Sequence, residues 1–167
     1  MTDIFILRHG DAEPRGSVPE ADRPLTPKGK SDVERVVTLA FEKTSTPELI
    51  LASPYRRAVE TAEIARGLLP GKPRLLETPS LLPQAQAEET WKELRSFAKT
   101  KQILLAGHEP HLSHLVAYLL GAPSLTLDLK KGALVRISLE SMTPEPHGEL
   151  KWILTPALAR STKTPSN

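Results

Sequence analysis

The sequence of 167 residues contains no cysteine, which excludes a disulfide framework, a thiolate zinc site and a cysteine nucleophile. It also has no excess of charge of one sign: 22 basic residues face 20 acidic ones, and a net charge of +2 does not indicate binding to nucleic acid or a membrane surface. No apolar run approaches the length of a membrane span, and the N-terminus has no pattern of a signal peptide. We therefore expect a soluble cytoplasmic protein.

Short apolar runs alternate with helical patterns along most of the chain. Val33, Val36 and Ala40 follow the spacing of one helix face. Thr26 and Pro27 before them are the residue types of an N-cap and a first helical position. We predict strands over residues 4–7, 49–52, 74–76 and 103–106, and helices that begin at residues 27, 55, 87 and 110. Strands that alternate with helices predict an α/β domain with a mostly parallel sheet.

The C-terminal part of the chain has a different pattern. Residues 133–139 and 150–154 resemble two strands, and the prolines and glycine between them predict an antiparallel hairpin with a loose loop. The sequence after Pro156 is rich in Ser, Thr and Lys, which is typical of a disordered tail. We therefore expect one domain over residues 1–156 and a disordered tail over residues 157–167.

Three of the predicted strands end in polar corners. The corners are Arg8-His9-Gly10, Ser53-Pro54-Tyr55-Arg56-Arg57 and Gly107-His108-Glu109-Pro110. A cation and an imidazole at the end of a buried strand are costly to desolvate unless an anion meets them. The carboxyl ends of parallel strands form one crevice, and helix N-termini would add positive dipole ends there. The sequence therefore predicts a site for a phosphoryl group.

Helical phase distinguishes the two arginines of the second corner. Arg57 shares a helix face with the apolar residues that pack on the sheet, whereas Arg56 shares its face with Glu60. Surface pairs such as Arg56 with Glu60 contribute only a few tenths of a kcal/mol. We therefore predict that Arg57 is the arginine of the site.

These residue types indicate covalent catalysis. A neutral imidazole can attack phosphorus, and flanking arginines would keep His9 neutral near pH 7. Arg8 and Arg57 would hold the phosphoryl oxygens and offset the charge of the transition state, so that no metal or other cofactor is needed. His108, in its imidazolium form, would hydrogen-bond the same phosphoryl oxygens. Water would then hydrolyse the phosphohistidine.

Four segments in order resemble the histidine phosphatase superfamily, which includes the cofactor-dependent phosphoglycerate mutases. They are Arg8-His9-Gly10, Arg23 to Gly29, Ser53 to Ala62 and Gly107-His108. The small size and Arg8-His9-Gly10-Asp11-Ala12 make the chain similar to SixA-type phosphohistidine phosphatases. The resemblance implies a three-layer α/β/α sandwich, His9 as nucleophile, and Arg8, Arg57 and His108 as phosphate ligands.

The sequence departs from the family pattern at the proton donor of the leaving group. Many members have an acid in a Leu-x-Glu context, where this chain has Ser80-Leu81-Leu82-Pro83, and SixA-type members likewise have Leu-x-Pro. A phosphohistidine imidazole needs an acid less than an alkoxide does, because its conjugate acid has a pKa of about 6.5. We therefore predict protein phosphohistidine, on a phosphocarrier or signalling domain, as the substrate. Asp11, Asp22 and Glu109 remain candidate acids.

Several alternatives stay open. The same site could hydrolyse small phosphate esters or acyl phosphates, or the chain could be an inactive domain that binds a phospho-ligand. Arg23 either supports its loop or contacts substrate. His108, His111 and His114 do not have the spacing of a zinc motif, and we predict that His111 and His114 lie on the surface, with no metal site.

Overall fold

The computed structural model describes residues 1–16 and 18–162, and its centre is a six-stranded sheet. The strands are β1 (Thr2–Arg8), β2 (Leu49–Ala52), β3 (Arg74–Glu77), β4 (Gln102–Gly107), β5 (Leu134–Leu139) and β6 (Gly148–Leu154). Their spatial order is β3-β2-β4-β1-β5-β6. The first four are parallel, whereas β5 runs antiparallel to β1 and pairs with β6 in a hairpin. The predicted α/β class, with a mostly parallel sheet and a C-terminal antiparallel hairpin, is confirmed.

Helices cover both faces of this sheet. They are α1 (Pro27–Phe41), α2 (Arg56–Leu68), α3 (Ala87–Ser96), α4 (His111–Leu119) and α5 (Pro156–Ser161), and 3-10 turns span Glu20–Asp22 and Pro79–Leu81. Helix α1 packs against α2 and α5 on one side, and α3 packs against α4 on the other. In the described part of the chain no helix is long and apolar enough to cross a membrane.

Strand β1 is buried on both faces, which explains its unbroken apolar run. Ile4 and Ile6 pack towards α4, and Phe5 and Leu7 pack towards α1, all with no exposed surface. Burial of each such side chain contributes about 1.5–3 kcal/mol. The strand is therefore held rigidly from both sides up to Arg8, where the polar corner begins.

Helix α1 begins as the sequence predicts. The Thr26 side chain accepts a hydrogen bond of 2.9 Å from the Gly29 backbone N–H, and Pro27 occupies the first turn. Gly29 also lets the helix approach the first corner, because a Cβ on Gly29 would collide with the Asp11 backbone carbonyl oxygen. This close approach holds the loop after His9 against α1.

The prediction of a disordered tail from residue 157 is wrong for its first five residues. Pro156–Ser161 forms α5, and the Thr155 side chain caps it by accepting a hydrogen bond of 3.2 Å from Leu158 N. Ala159 is buried against α1, and Arg160 Nη1 lies 2.6 Å from Asp32 Oδ1. Tertiary contacts thus order a segment whose composition predicted disorder. Residues 163–167 lie outside the described residues.

Candidate active site

The three polar corners meet at one end of the sheet. Strands β2, β4 and β1 are adjacent and parallel, so their carboxyl ends bring the corners together. A cleft of about 860 Å³ opens there, and Arg8, His9, Arg57 and His108 all line it. The four residues that the sequence selects from three separate segments therefore share one cleft.

The hydrogen bonds of His9 define which of its nitrogens is free to react. Nδ1 lies 2.7 Å from the Gly10 carbonyl oxygen, and because a carbonyl can only accept, Nδ1 carries the proton. Nε2 then has the lone pair, and it accepts a hydrogen bond of 3.3 Å from Arg57 Nε. Arg57 of the second corner thus places its guanidinium against His9 Nε2, the nitrogen of the first corner that has a free lone pair.

The His9 ring is neutral in this setting. Burial is the largest cause that lowers its pKa to about 3, and the charges of Arg57 and Arg8 act in the same direction, against an opposing contribution from the Gly10 hydrogen bond. The sequence predicts a neutral His9 because of the arginines, but burial is the larger cause. A neutral imidazole with a free lone pair at pH 7 is a nucleophile.

Arg57 is the buried arginine of its helix, at 4% exposure. Its Nη1 donates to the Glu20 backbone oxygen at 2.8 Å, and its Nη2 lies 3.1 Å from Glu20 Oε1. Arg56 instead has a side chain that is 55% exposed, and its Nε pairs with Glu60 at 3.1 Å. Helical phase therefore selects the arginine that reaches the cleft.

Two buried nitrogens of residues that line the cleft have no hydrogen-bond partner among the described residues. Arg8 donates from Nη1 to the Leu129 carbonyl oxygen at 2.8 Å, but its Nε is unpartnered. His108 Nδ1 is likewise buried and unpartnered. An unsatisfied buried polar group costs about 1–3 kcal/mol, so two in one cleft indicate a ligand with acceptor oxygens.

His108 is neutral in this structure, and its action as an imidazolium on a bound phosphoryl group stays a prediction. Its ring centre lies 5.1 Å from that of His9, and its Nε2 lies 2.7 Å from Ser53 Oγ. Burial, and to a smaller extent the nearby His9 and Arg57, lower the pKa of His108 to about 2. Without an anion in the cleft, the neutral ring of His108 therefore has one N–H to offer a ligand.

Of the three candidate acids, Glu109 lines the cleft. Its Oε1 accepts a hydrogen bond of 2.9 Å from Ser113 N, and its Oε2 accepts one from the Ser113 hydroxyl. Asp11 and Asp22 are not among the residues that line the cleft. Asp11 instead pairs with Lys131 at 3.1 Å and accepts a hydrogen bond of 3.0 Å from Thr26 Oγ1.

Arg23 supports its loop in this structure. It donates from Nε and Nη2 to the Glu20 carboxylate at 3.0 and 2.8 Å, and from Nη1 to the Glu13 backbone oxygen at 2.8 Å. All three of its nitrogens are thus engaged within the segment between β1 and α1. Arg23 also lines the cleft, so a contact with substrate remains a prediction.

Sequence reasoning missed two residues that line the cleft, Glu20 and Tyr55, and one that contacts His108 from behind it, Ser53. Glu20 bridges Arg57 and Arg23, and hydrogen bonds from Arg23 lower its pKa. Tyr55 lies with its ring 5.1 Å from the Arg57 guanidinium carbon and 5.3 Å from the His108 ring. Ser53 is the partner of His108. Ser53 and Tyr55 stand in the second corner and could have been selected there, but no pattern marks Glu20.

The prediction that His111 lies on the surface is wrong. It has no exposed surface, and its Nε2 lies 2.8 Å from Thr90 Oγ1 of α3, because the first turn of α4 packs against that helix. Burial lowers the pKa of His111 to about 4. His114 is exposed. Across residues 1–16 and 18–162, no group of three or more His, Cys, Asp or Glu side chains is arranged to hold a metal ion.

Comparison with known proteins places these features in one family. The family model for the histidine phosphatase superfamily, branch 1, matches residues 4–79. An uncharacterized protein of Picosynechococcus sp. is 33% identical over 138 residues, which are 80% of this chain and 82% of that protein. The structure of the protein histidine phosphatase SixA complexed with tungstate matches with a TM-score of 0.79 at 26% identity, over 93% of this chain and 98% of that one. The α-ribazole phosphatase of Shigella flexneri shares the fold, with a TM-score of 0.73 at 16% identity over 93% and 97% of the two chains.

The three buried histidines predict a loss of stability in mild acid. In the unfolded chain they take up protons as the pH falls through about 6.5, whereas His9, His108 and His111 stay neutral until about pH 3, 2 and 4. The folded-state pKa values are depressed, so the stabilisation is complete above pH 6.5 and is lost as the pH falls. Each histidine can remove up to about 1.4 kcal/mol per pH unit.

Denaturant unfolding at pH 7.0 and pH 5.5, in buffers without phosphate or sulfate, measures this loss. His111→Gln should reduce the slope of the free energy of unfolding against pH by the equivalent of about one proton. His147→Gln, at an exposed position, is the matched control. A free energy of unfolding that is equal at the two pH values would contradict the neutral, buried state of these rings.

Proposed function

The chain belongs to the histidine phosphatase superfamily, branch 1, and we propose that it dephosphorylates protein phosphohistidine without a metal, through a covalent intermediate on His9. One observation supports this most: the His9 Nε2 lone pair faces Arg57 in a cleft lined by Arg8 and His108, whose buried Nε and Nδ1 have no partner among the described residues. A phosphoryl group supplies an electrophile for the lone pair and oxygens for the donors. The enzyme acts in the cytoplasm under this proposal.

In the first step His9 Nε2 attacks phosphorus. The Nε2–P bond forms as the P–N bond to the substrate imidazole breaks, and the leaving nitrogen takes up a proton. Arg57 Nε turns from Nε2 to a phosphoryl oxygen, and Arg8 Nε and His108 Nδ1 bind the others. These donors offset the charge that develops on the oxygens in the transition state.

In the second step a water oxygen attacks the phosphorus of phosphorylated His9. The P–Nε2 bond breaks, Nε2 regains its lone pair, and phosphate leaves. We assign Glu109 to the proton transfers: it supplies the proton to the leaving nitrogen and takes one back from the water. The position of Glu109 supports this assignment, because it is the one of the three candidate acids that lines the cleft.

The choice of phosphohistidine over a phosphate ester rests on the leaving group. The turn Pro79–Leu81 and the residues after it carry no carboxylate where the family's mutases have their acid. An imidazole leaves with much less help from an acid than an alkoxide does, because its conjugate acid has a pKa of about 6.5. The 26% identity to a protein histidine phosphatase over nearly the whole chain supports the same choice.

Small phosphorylated molecules are the second candidate substrates. The cleft has cationic side chains beyond the two arginines nearest His9, among them the exposed Arg15 and Lys131, which would suit a substrate with a second anionic group. A phosphatase named for a small ester, α-ribazole phosphate, shares the fold. An inactive domain that only binds a phospho-ligand is the third candidate.

Incubation with a phosphocarrier protein that bears phosphohistidine tests the proposal. We expect the carrier to lose its phosphate at equal rates with and without a chelator. We also expect transient phosphorylation of His9, detected when the reaction is quenched at alkaline pH. His9→Ala should abolish both signals. Absence of turnover, or turnover only with added metal, would contradict the proposal, and higher kcat/KM for small esters or acyl phosphates would favour the second candidate. Binding of phosphate without any labelled His9 would indicate the third.

The two adjacent arginines offer a matched pair of variants. Arg57→Ala should lower kcat/KM by about 10²–10³-fold, because a donor that meets the transition state is lost. Arg56→Ala should stay within about twofold of wild type, because its exposed pair with Glu60 contributes little. Steady-state kinetics on one substrate measure both, with unfolding curves as the control for folding. Equal losses in the two variants would refute the selection of Arg57.

Glu109→Gln tests the role of an acid in proton transfer separately from the binding of the phosphoryl oxygens. We expect turnover of a phosphate ester to fall at least about tenfold more than turnover of phosphohistidine, because the alkoxide depends more on the proton. Asp22→Asn, at a position that does not line the cleft, is the control. The ratio of the two kcat values in each variant is the measurement. An unchanged ratio in Glu109→Gln would remove Glu109 from the proton transfers.

A further inference from the structure

We propose that Ser53 is a positioning residue that fixes the tautomer of His108, with the proton on Nδ1 and the lone pair on Nε2 facing the serine hydroxyl. The state of the ring follows from hydrogen bonds alone, and its consequence for turnover rests on the proposed function. Ser53 then determines which atom of a neutral His108 can donate to a phosphoryl oxygen.

Ser53 has no exposed surface, so its hydroxyl must be satisfied by protein groups. Its Oγ accepts a hydrogen bond of 3.3 Å from Tyr55 N and lies 2.7 Å from His108 Nε2. A backbone N–H can only donate, so that contact leaves the hydroxyl proton free to donate elsewhere. Among the described residues the acceptor within reach of this proton is His108 Nε2.

The two tautomers of His108 leave different numbers of buried groups unpaired. With the proton on Nδ1, Ser53 donates to Nε2, and Nδ1–H alone lacks a partner in the described part of the chain. With the proton on Nε2, the ring donates to Ser53, and both the serine hydroxyl proton and the Nδ1 lone pair lack partners. The first arrangement leaves one unpaired buried group rather than two and is therefore favoured.

The backbone holds Ser53 in place for this task. Ser53 follows β2 directly, and its N–H donates to the Ala106 carbonyl oxygen of β4 at 2.9 Å. His108 comes two residues after Ala106, so the serine and the histidine extend side by side from neighbouring strands. Because β2 and β4 are both buried, the contact of Ser53 with His108 is a rigid feature of the sheet.

The tautomer matters because His108 is neutral before an anion binds. The ring lies against His9, Tyr55 and Arg57, where a second proton would meet buried positive charge. A neutral ring has one N–H, and Nε2 is already engaged by Ser53. The proton on Nδ1 thus gives His108 a donor for the phosphoryl oxygen, whereas the other tautomer would present a lone pair to an anion.

Long-range ¹H–¹⁵N correlation spectra of the whole protein without ligand test the assignment directly. We expect His108 Nδ1 to have the shift of a protonated nitrogen and Nε2 that of an unprotonated one. The reverse pattern would overturn the proposal. The measurement needs no substrate, so it gives an answer even if the chain proves to have no phosphatase activity.

Ser53→Ala and Ser53→Thr test the consequence. The alanine variant should show a mixed or reversed tautomer of His108 and bind inorganic phosphate about 10-fold or more weakly, with kcat/KM reduced by about 10–100-fold. The threonine variant keeps the hydroxyl and should restore the tautomer and most of the binding. An alanine variant with the wild-type tautomer, or one with a changed tautomer but unchanged phosphate affinity, would overturn the role of Ser53.

Discussion

A single hydrogen bond, from His9 Nδ1 to the Gly10 carbonyl oxygen, determines what the rest of the cleft can do. It leaves the lone pair on Nε2, and burial at the end of β1 keeps the ring neutral. Arg57 Nε donates a hydrogen bond to that lone pair. Without this bond the same residues would surround an imidazole with its proton facing the cations, and the site would hold no nucleophile.

The cationic side chains of the cleft have only some of their N–H groups hydrogen-bonded to other groups of the protein. Glu20 binds Arg57 and Arg23 at one side, and the Leu129 carbonyl oxygen holds Arg8 at another. These contacts fix the direction of each guanidinium while donors near His9 stay unpaired among the described residues. Preorganised donors of this kind stabilise charge in a transition state because they need not reorient during the reaction.

Much of this arrangement could be predicted from the sequence, because it follows from local patterns. Apolar runs located the parallel strands, and a strand such as β1 brings its polar corner to the edge where ligands bind. Helical phase selected Arg57. What could not be predicted depends on tertiary contacts: the burial of His111 against Thr90, the ordering of α5 by Asp32, and the approach of Glu20 to Arg57. The charge of His108 also depends on burial that no pattern reveals.

We propose that one oxyanion site lies between His9, Arg8, Arg57 and His108, and a crystal structure with tungstate tests this arrangement. We expect tungsten next to His9 Nε2, with oxygens bound to Arg8 Nε, Arg57 and His108 Nδ1, and with Arg57 Nε turned away from the imidazole. Tungstate held only by the outer cations Arg15 and Lys131, with Arg57 still hydrogen-bonded to His9, would contradict it.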